Sequence, residues 1–210
     1  MKVMIINIIN EGSFNKINSF NRISFSHSPK VGLGFQNIPD FHYPGLNLAF
    51  AKETDLEDIV NLFEKIEIEE FKNINVGEEQ YHNAHLELLK KCFNEKGTVI
   101  YSLKTDEGQL VGSAVLIDYK FAETTSEKTG FIFDLYLNKE YRYQHIGSFL
   151  IKNLLDKSKE FGYKKVLLNV HNPTAKKLYK ELGFKECVND AETQIPIING
   201  NYHIWMEWTA

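Results

Sequence analysis

The chain has 210 residues and 24.3 kDa, with 24 Lys and Arg against 28 Asp and Glu, a formal net charge of −4. A composition 43% hydrophobic and 25% charged excludes wholesale disorder and suits one globular domain, able to bury roughly two-thirds of the surface its unfolded form exposes. The mild acidity and the lack of a long Lys/Arg run leave no footprint for a phosphate backbone, so nucleic acid is not an expected partner.

Cys92 and Cys187 stand far apart in no ligand spacing, which points to no disulfide, no metal site and a reducing cytoplasm. The apolar stretch 3–9 is broken by Asn7 and too short to span a bilayer or serve as an export signal, so no membrane partner is expected.

Residues 1–45 read as an N-terminal extension whose order the pattern leaves open, and residues 46–210 as the main domain. Residues 1–10 could form a strand, but 11–45 are rich in Asn, Ser, Gly and Phe without a sustained period. Phe14, Phe20, Phe25, Phe35, Phe41 and Tyr43 could pack this extension onto the domain. It could equally mediate a homodimer or cover a cleft.

A strand over 46–52 runs into Thr54-Asp55-Leu56-Glu57, where Thr54 and Glu57 could cap a first helix reciprocally. Leu56, Ile59, Val60, Phe63 and Ile66 give that helix an apolar stripe. Its acidic end, 64–70, reads as a solvated face. A second helix over 78–93 should turn Tyr81, His85, Leu88, Leu89 and Cys92 inward. Strands over 98–104 and 109–120 flank Thr105-Asp106-Glu107-Gly108, a hairpin loop in which Gly108 supplies a positive φ, and a third strand covers 131–137.

The pattern then changes. Residues 146–161 form an amphipathic helix with Ile146, Phe149, Leu150, Leu154 and Phe161 on one side. Residues 166–170 are a short apolar run of the kind buried on both faces. A helix over 174–182 ends at Gly183, placed as a C′ glycine, and a strand over 202–208 closes the chain. An antiparallel meander that switches to a βαβ crossover makes a mixed α/β sheet.

Two segments carry chemistry. In the stretch 131–150 a strand turns into a helix near Gln144, and a helix start offers unpaired N–H groups and a positive dipole to an anion. Gly147 removes a Cβ where a pyrophosphate would approach, and Arg142 stands one turn earlier as a cation. Taken alone, Arg142 and Gly147 fit a purely structural role equally well. In the second segment Asn172 ends a buried strand, and Tyr179 follows two turns down the next helix. Seen alone, such a tyrosine is more simply a core residue.

Together, Arg142-Tyr-Gln-His-Ile-Gly147 and Asn172-Pro-Thr-Ala175-Lys-Lys-Leu-Tyr179, followed by Gly183-Phe184, resemble the GNAT superfamily of acyl-CoA-dependent N-acetyltransferases across residues 46–208. One departure is His145, which stands at the family's first glycine. The resemblance implies a mostly antiparallel sheet splayed at two parallel strands and flanked by about four helices. It implies acetyl-CoA as co-substrate, held by main-chain groups of Leu135, Tyr136 and Leu137, by amides of Arg142, Tyr143, Gln144, His145, Ile146, Gly147 and Ser148, and by Asn172. A side chain at His145 replaces hydrogen where backbone meets phosphate, though it could also donate to a phosphate oxygen.

Acetyl transfer needs a neutral amine, a donor for the developing oxyanion and a proton for the departing thiolate. The resemblance gives the oxyanion donor to a backbone N–H near Leu137 and the proton to Tyr179. Positions that carry a base in many relatives are Phe131 and Phe133 here. Asp134 is the nearby carboxylate; strand alternation turns it to the opposite face, where it could act as base, bind a cation, orient a water or pair with a neighbour. In this family the end of the first helix borders the acceptor cleft, so the acidic run there could attract a polyamine or a basic peptide terminus. A primary amine, small or peptidic, is the implied acceptor. A non-catalytic acyl-CoA-binding or interaction module on the same fold is the competing reading. His82, His85 and His171 make no metal spacing and read as surface or core; Trp205 and Trp208 read as packing. Cys187 has no motif of a nucleophile.

Overall fold

In the computed structural model the described residues are 41–70, 79–119, 128–170, 172–187 and 204–210, so the 1–10 strand, His171 and the aromatics before Phe41 lie outside them. The strands are β1 (Leu46–Phe50), β2 (Val99–Thr105), β3 (Leu110–Asp118), β4 (Thr129–Leu137), β5 (Lys165–Val170), β6 (Lys185–Cys187) and β7 (Ile204–Thr209). The helices are α1 (Leu56–Glu70), α2 (Glu79–Phe93), α3 (Ile146–Glu160) and α4 (Pro173–Glu181). One sheet runs β1-β2-β3-β4-β5-β7-β6, antiparallel except for the β4–β5 pair. This is the splayed mixed sheet the motifs imply.

Helices cover both faces because each carries its apolar residues on one side. Leu56, Ile59 and Val60 of α1 and Leu89 and Cys92 of α2 pack on Val115, Phe131, Phe133 and Trp205. On the other face Leu150, Ile151 and Leu154 of α3 and Tyr179 of α4 pack on Leu116, Ile132 and Leu168. Trp205 belongs to the first cluster, in keeping with a packing role, and Phe41 sets its ring 5.2 Å from Phe149, so the chain just before β1 is pinned to α3. Gly108 and Gly183 take φ of 87° and 92°, the values their turn and cap positions need.

Three local expectations change. Thr54 does not cap α1: Glu53–Asp55 form a 3-10 turn, held by the Lys52 N–H donating to Asp55 Oδ2 at 2.9 Å. Lys104 Nζ donates to the other Asp55 oxygen at 2.7 Å. Strand β5 is not buried on both faces but alternates, with Val166, Leu168 and Val170 buried and Leu167 and Asn169 half-buried.

The third change concerns Asp134. Val115 faces Phe133 and Ser113 faces Tyr136, so Asp134 and Leu135 together oppose Ala114 alone. This is a β-bulge, and Asp134 takes φ 52°, a left-handed conformation uncommon for a residue with a side chain. Alternation would aim Asp134 away from Phe131 and Phe133. The extra residue instead turns it to their side, toward α2.

Candidate active site

Strand β4 pairs with β5 at only Thr129–Lys165, Gly130–Val166 and Phe131–Leu167. Beyond those pairs the strands diverge, and residues 132–137 and 168–170 line a cleft of about 450 Å³. The cleft therefore opens where the parallel ladder ends, beside the bulge.

The first wall is main chain. Helix α3 starts at the cleft with no side chain capping it, so its first N–H groups keep their donor capacity. The turn before it bends sharply: Tyr143 has φ 61° and His145 φ 63°. His145 thus holds a glycine-like conformation, which explains why glycine suits this position. Arg142 Nε donates to the Leu137 carbonyl at 2.9 Å, tying the turn to the end of β4. A Cβ on Gly147 would stand 3.6 Å from Leu178 and 3.9 Å from Leu137, inside the cleft but in ordinary contact. The protein's own packing does not demand a glycine there, whereas a ligand entering between α3 and α4 would.

The sequence-predicted residues divide accordingly. Leu135, Tyr136, Leu137, Arg142, Tyr143, His145, Gly147, Ser148, Asn172 and Tyr179 line the cleft. Gln144 and Ile146 do not line it: the Gln144 amide donates to the Glu140 carbonyl at 2.7 Å and Ile146 is in the core. Ile146, buried in the core, can offer a ligand only main chain. The Asn172 Oδ1 accepts from Thr174 and Ala175 N–H groups at 2.8 and 3.3 Å, so it caps α4 and leaves its amide NH2 for any ligand. Tyr179 packs its ring 5.8 Å from Phe184, and burial pushes its phenol well above the ordinary value.

The second wall is side chain. Asp134 Oδ2 accepts a 2.7 Å hydrogen bond from His85 Nε2, both side chains 0% exposed. Ser113 Oγ donates to the Asp134 carbonyl at 3.2 Å, securing the bulge from β3. Glu67, 4% exposed, lines the cleft and accepts from the Tyr136 hydroxyl at 3.4 Å. Tyr81 stacks on Phe63 at 6.0 Å, and burial, reinforced by Glu67, Asp134 and Glu64, raises its phenol. His82 bridges α1 and α2 through Glu57 at 2.9 Å and Glu64 at 3.2 Å. Burial opposes a charge on His82, but these two carboxylates outweigh it and raise its pKa.

The acidic end of α1 is therefore not wholly solvated. Glu69 is exposed as expected, but Glu67 is buried. A signal for this exists: Glu67 lies four residues after Phe63 and eleven after Leu56, on the apolar stripe itself. His85, expected as surface or core, is core, but core with a polar partner on the cleft wall.

The parallel pair splays beside an uncapped helix start, and a buried tyrosine stands in the same lining. The sequence model of the acetyltransferase (GNAT) family matches residues 57–184. The chain belongs to the GNAT acetyltransferase family.

No curated protein matches the sequence. Among solved structures, a GNAT-family acetyltransferase from Staphylococcus aureus is 17% identical with a TM-score of 0.62, over 78% of this chain and 98% of that one. A Salmonella typhimurium protein solved with its cofactor acetyl-CoA is 15% identical with a TM-score of 0.61, over 79% and 94%. Spermidine N-acetyltransferase from Vibrio cholerae, in complex with CoA and spermine, is 22% identical with a TM-score of 0.57, over 80% and 96%. At these identities the likeness is one of fold. Among the described residues of this GNAT chain, no group of three or more His, Cys, Asp or Glu side chains could hold a metal ion, and no helix is long and apolar enough to cross a membrane.

Proposed function

We propose that this acetyltransferase moves an acetyl group from acetyl-CoA to a primary amine by direct attack in a ternary complex, with Tyr179 as general acid. The observation that carries the reading is a cleft with an uncapped helix start and a cradling Gly147 on one wall, and a buried phenol in the same lining. When bound, acetyl-CoA supplies an activated acyl group whose sulfur must leave with a proton.

The chain's own residues meet the remaining needs. Main-chain N–H groups of residues 146–148 suit a diphosphate, and the main chain of residues 135–137 borders the gap where no β5 partner follows. An N–H of that segment, near Leu137, is the natural donor to a developing oxyanion. Tyr179, raised by burial, stays protonated at neutral pH and so keeps a proton to give. Neither cysteine suits an acyl-enzyme route: burial pushes the Cys92 thiol up to about 12 and raises that of Cys187. Asp134 is buried against His85, which favours a supporting role over direct proton abstraction.

Replacing Tyr179 with Phe is expected to lower kcat by about 100-fold while leaving acetyl-CoA affinity within about twofold. Steady-state CoA release and calorimetry with CoA measure the two quantities. Unchanged turnover would take Tyr179 out of the mechanism; an absence of CoA binding to the wild type would refute the whole reading and favour an interaction module.

A further inference from the structure

His85 is fully buried and stands behind the cleft wall rather than in its lining. Its ring sits edge-on to Phe63 of α1 at 4.6 Å, and from there Nε2 reaches Asp134 Oδ2 at 2.7 Å. A histidine so placed touches nothing in the cleft, so whatever it does for the site passes through Asp134.

Strand β4 turns on Asp134. The bulge sets Asp134 and Leu135 together against Ala114, with Asp134 in the left-handed conformation. Glycine fills such a bulge position without cost, because a Cβ is what makes left-handed backbone unfavourable. An aspartate accepts that strain and brings a side chain, which His85 holds from α2, while Ser113 Oγ donates to the Asp134 carbonyl from β3. The bulge is thus tied at two points, one through side chain and one through main chain.

This bulge bears on the cleft through parity. Successive residues of a strand send their main-chain groups to opposite edges, and one inserted residue reverses the order of everything beyond it. Beyond Asp134, Tyr136 faces Ser113 and Leu137 faces Gly112 on β3, whereas β5 has already parted from β4 after Phe131–Leu167. Residue 134 therefore decides which main-chain groups of 135–137 meet the open gap, and at what angle. A donor to a developing oxyanion is sensitive to its aim, since a misplacement of about 1 Å can cost about 100-fold in rate.

We infer that His85 is a positioning residue for acetyl transfer: by gripping the Asp134 carboxylate it holds the bulge in register, and so aims the main chain of residues 135–137 at the thioester carbonyl. This rests on the acetyl-transfer reading above. His85 takes no proton and touches no substrate; it denies the bulge an alternative conformation.

The test reads the thioester directly and needs no acceptor: isotope-edited infrared difference spectra of carbonyl-labelled acetyl-CoA bound to the full chain, with calorimetry for affinity. Wild type should shift the carbonyl band to lower frequency than in free acetyl-CoA, the mark of a donor at its oxygen. His85→Leu, which keeps the volume and removes the donor, should lose at least about half of that shift while affinity stays within about twofold. His85→Gln, whose amide nitrogen lies as many bonds from the main chain as Nε2 does, should retain most of it. Asp134→Gly, which takes left-handed backbone but offers His85 nothing to hold, should lose as much as His85→Leu, and combining the two should change the band no further. If the Leu variant does not fold, Asp134→Gly decides the matter: a shift lost supports the inference and a wild-type band overturns it. A wild type without the shift, a wild-type band in His85→Leu, a shift lost equally in His85→Gln, a shift lost only together with acetyl-CoA affinity, or a further loss in the double variant also overturns it. A wild type that binds no acetyl-CoA overturns the parent reading first, and calorimetry tells that case apart.

Discussion

The two walls of the cleft are made by different means. The wall at the start of α3 and α4 works through main chain: an uncapped helix start, two left-handed residues before it and a glycine that the packing leaves optional. The wall at α1 and β4, backed by α2, works through buried side chains, above all Asp134 held by His85 and Glu67 with Tyr136. A wall of backbone can serve a ligand without being knit into the core, whereas a wall of buried polar groups is core and site together. Damage to the first should therefore cost binding, and damage to the second should cost stability.

The largest expected effect tests the second half of that contrast. His85→Ala leaves a cavity and removes the hydrogen bond to Asp134 Oδ2, and is expected to destabilise the fold by about 3 kcal/mol in urea unfolding. A loss under about 1 kcal/mol would mean the pair is not part of the core's cohesion. Gly147→Leu tests the first half: its side chain would project toward Leu178 and Leu137, and CoA affinity should fall about 100-fold with unfolding free energy changed by less than about 1 kcal/mol.

Smaller effects sharpen the same contrast. His145→Gly removes a side chain from a left-handed position and should stabilise the protein by up to about 1 kcal/mol, with CoA affinity retained or improved. The smallest concerns the clamp between α1 and α2. The His82 pKa is raised in the fold, so its stabilising share is fully present below the unfolded value near 6.5 and is lost as pH rises through the higher folded value. Wild type should lose Tm on going from pH 6 to pH 9 relative to His82→Gln, by the equivalent of less than about 1 kcal/mol. An equal pH response in both proteins would leave Glu57 and Glu64 without a charged partner there.

The contrast also explains what the sequence reveals. Backbone function leaves a local signature, since the residues around Arg142 and Gly147 must follow one another to make a turn and a helix start, and the strand and helix order follows from apolar periodicity. The other wall sets Glu67, Asp134 and Tyr136 against a backing of Phe63, Tyr81 and His85, brought from three elements distant in the chain, and no spacing announces it. Asp134 illustrates the difficulty most plainly. Its face follows from period-2 alternation until one inserted residue reverses it, and a bulge is invisible to a rule that counts by twos. Glu67 was within reach, because it shares a helical stripe with Phe63, but an acidic residue in an acidic run reads as solvent-facing.

The early end of the β4–β5 ladder has a consequence for how this fold answers to its surroundings. A seven-stranded sheet that stops pairing after three rungs at its centre is unfinished there, and an extended molecule lying in that gap would complete it as a surrogate strand. Heat resistance should thus climb with the concentration of whatever completes the sheet, which makes a melting curve a census of candidate occupants even for molecules the protein never transforms.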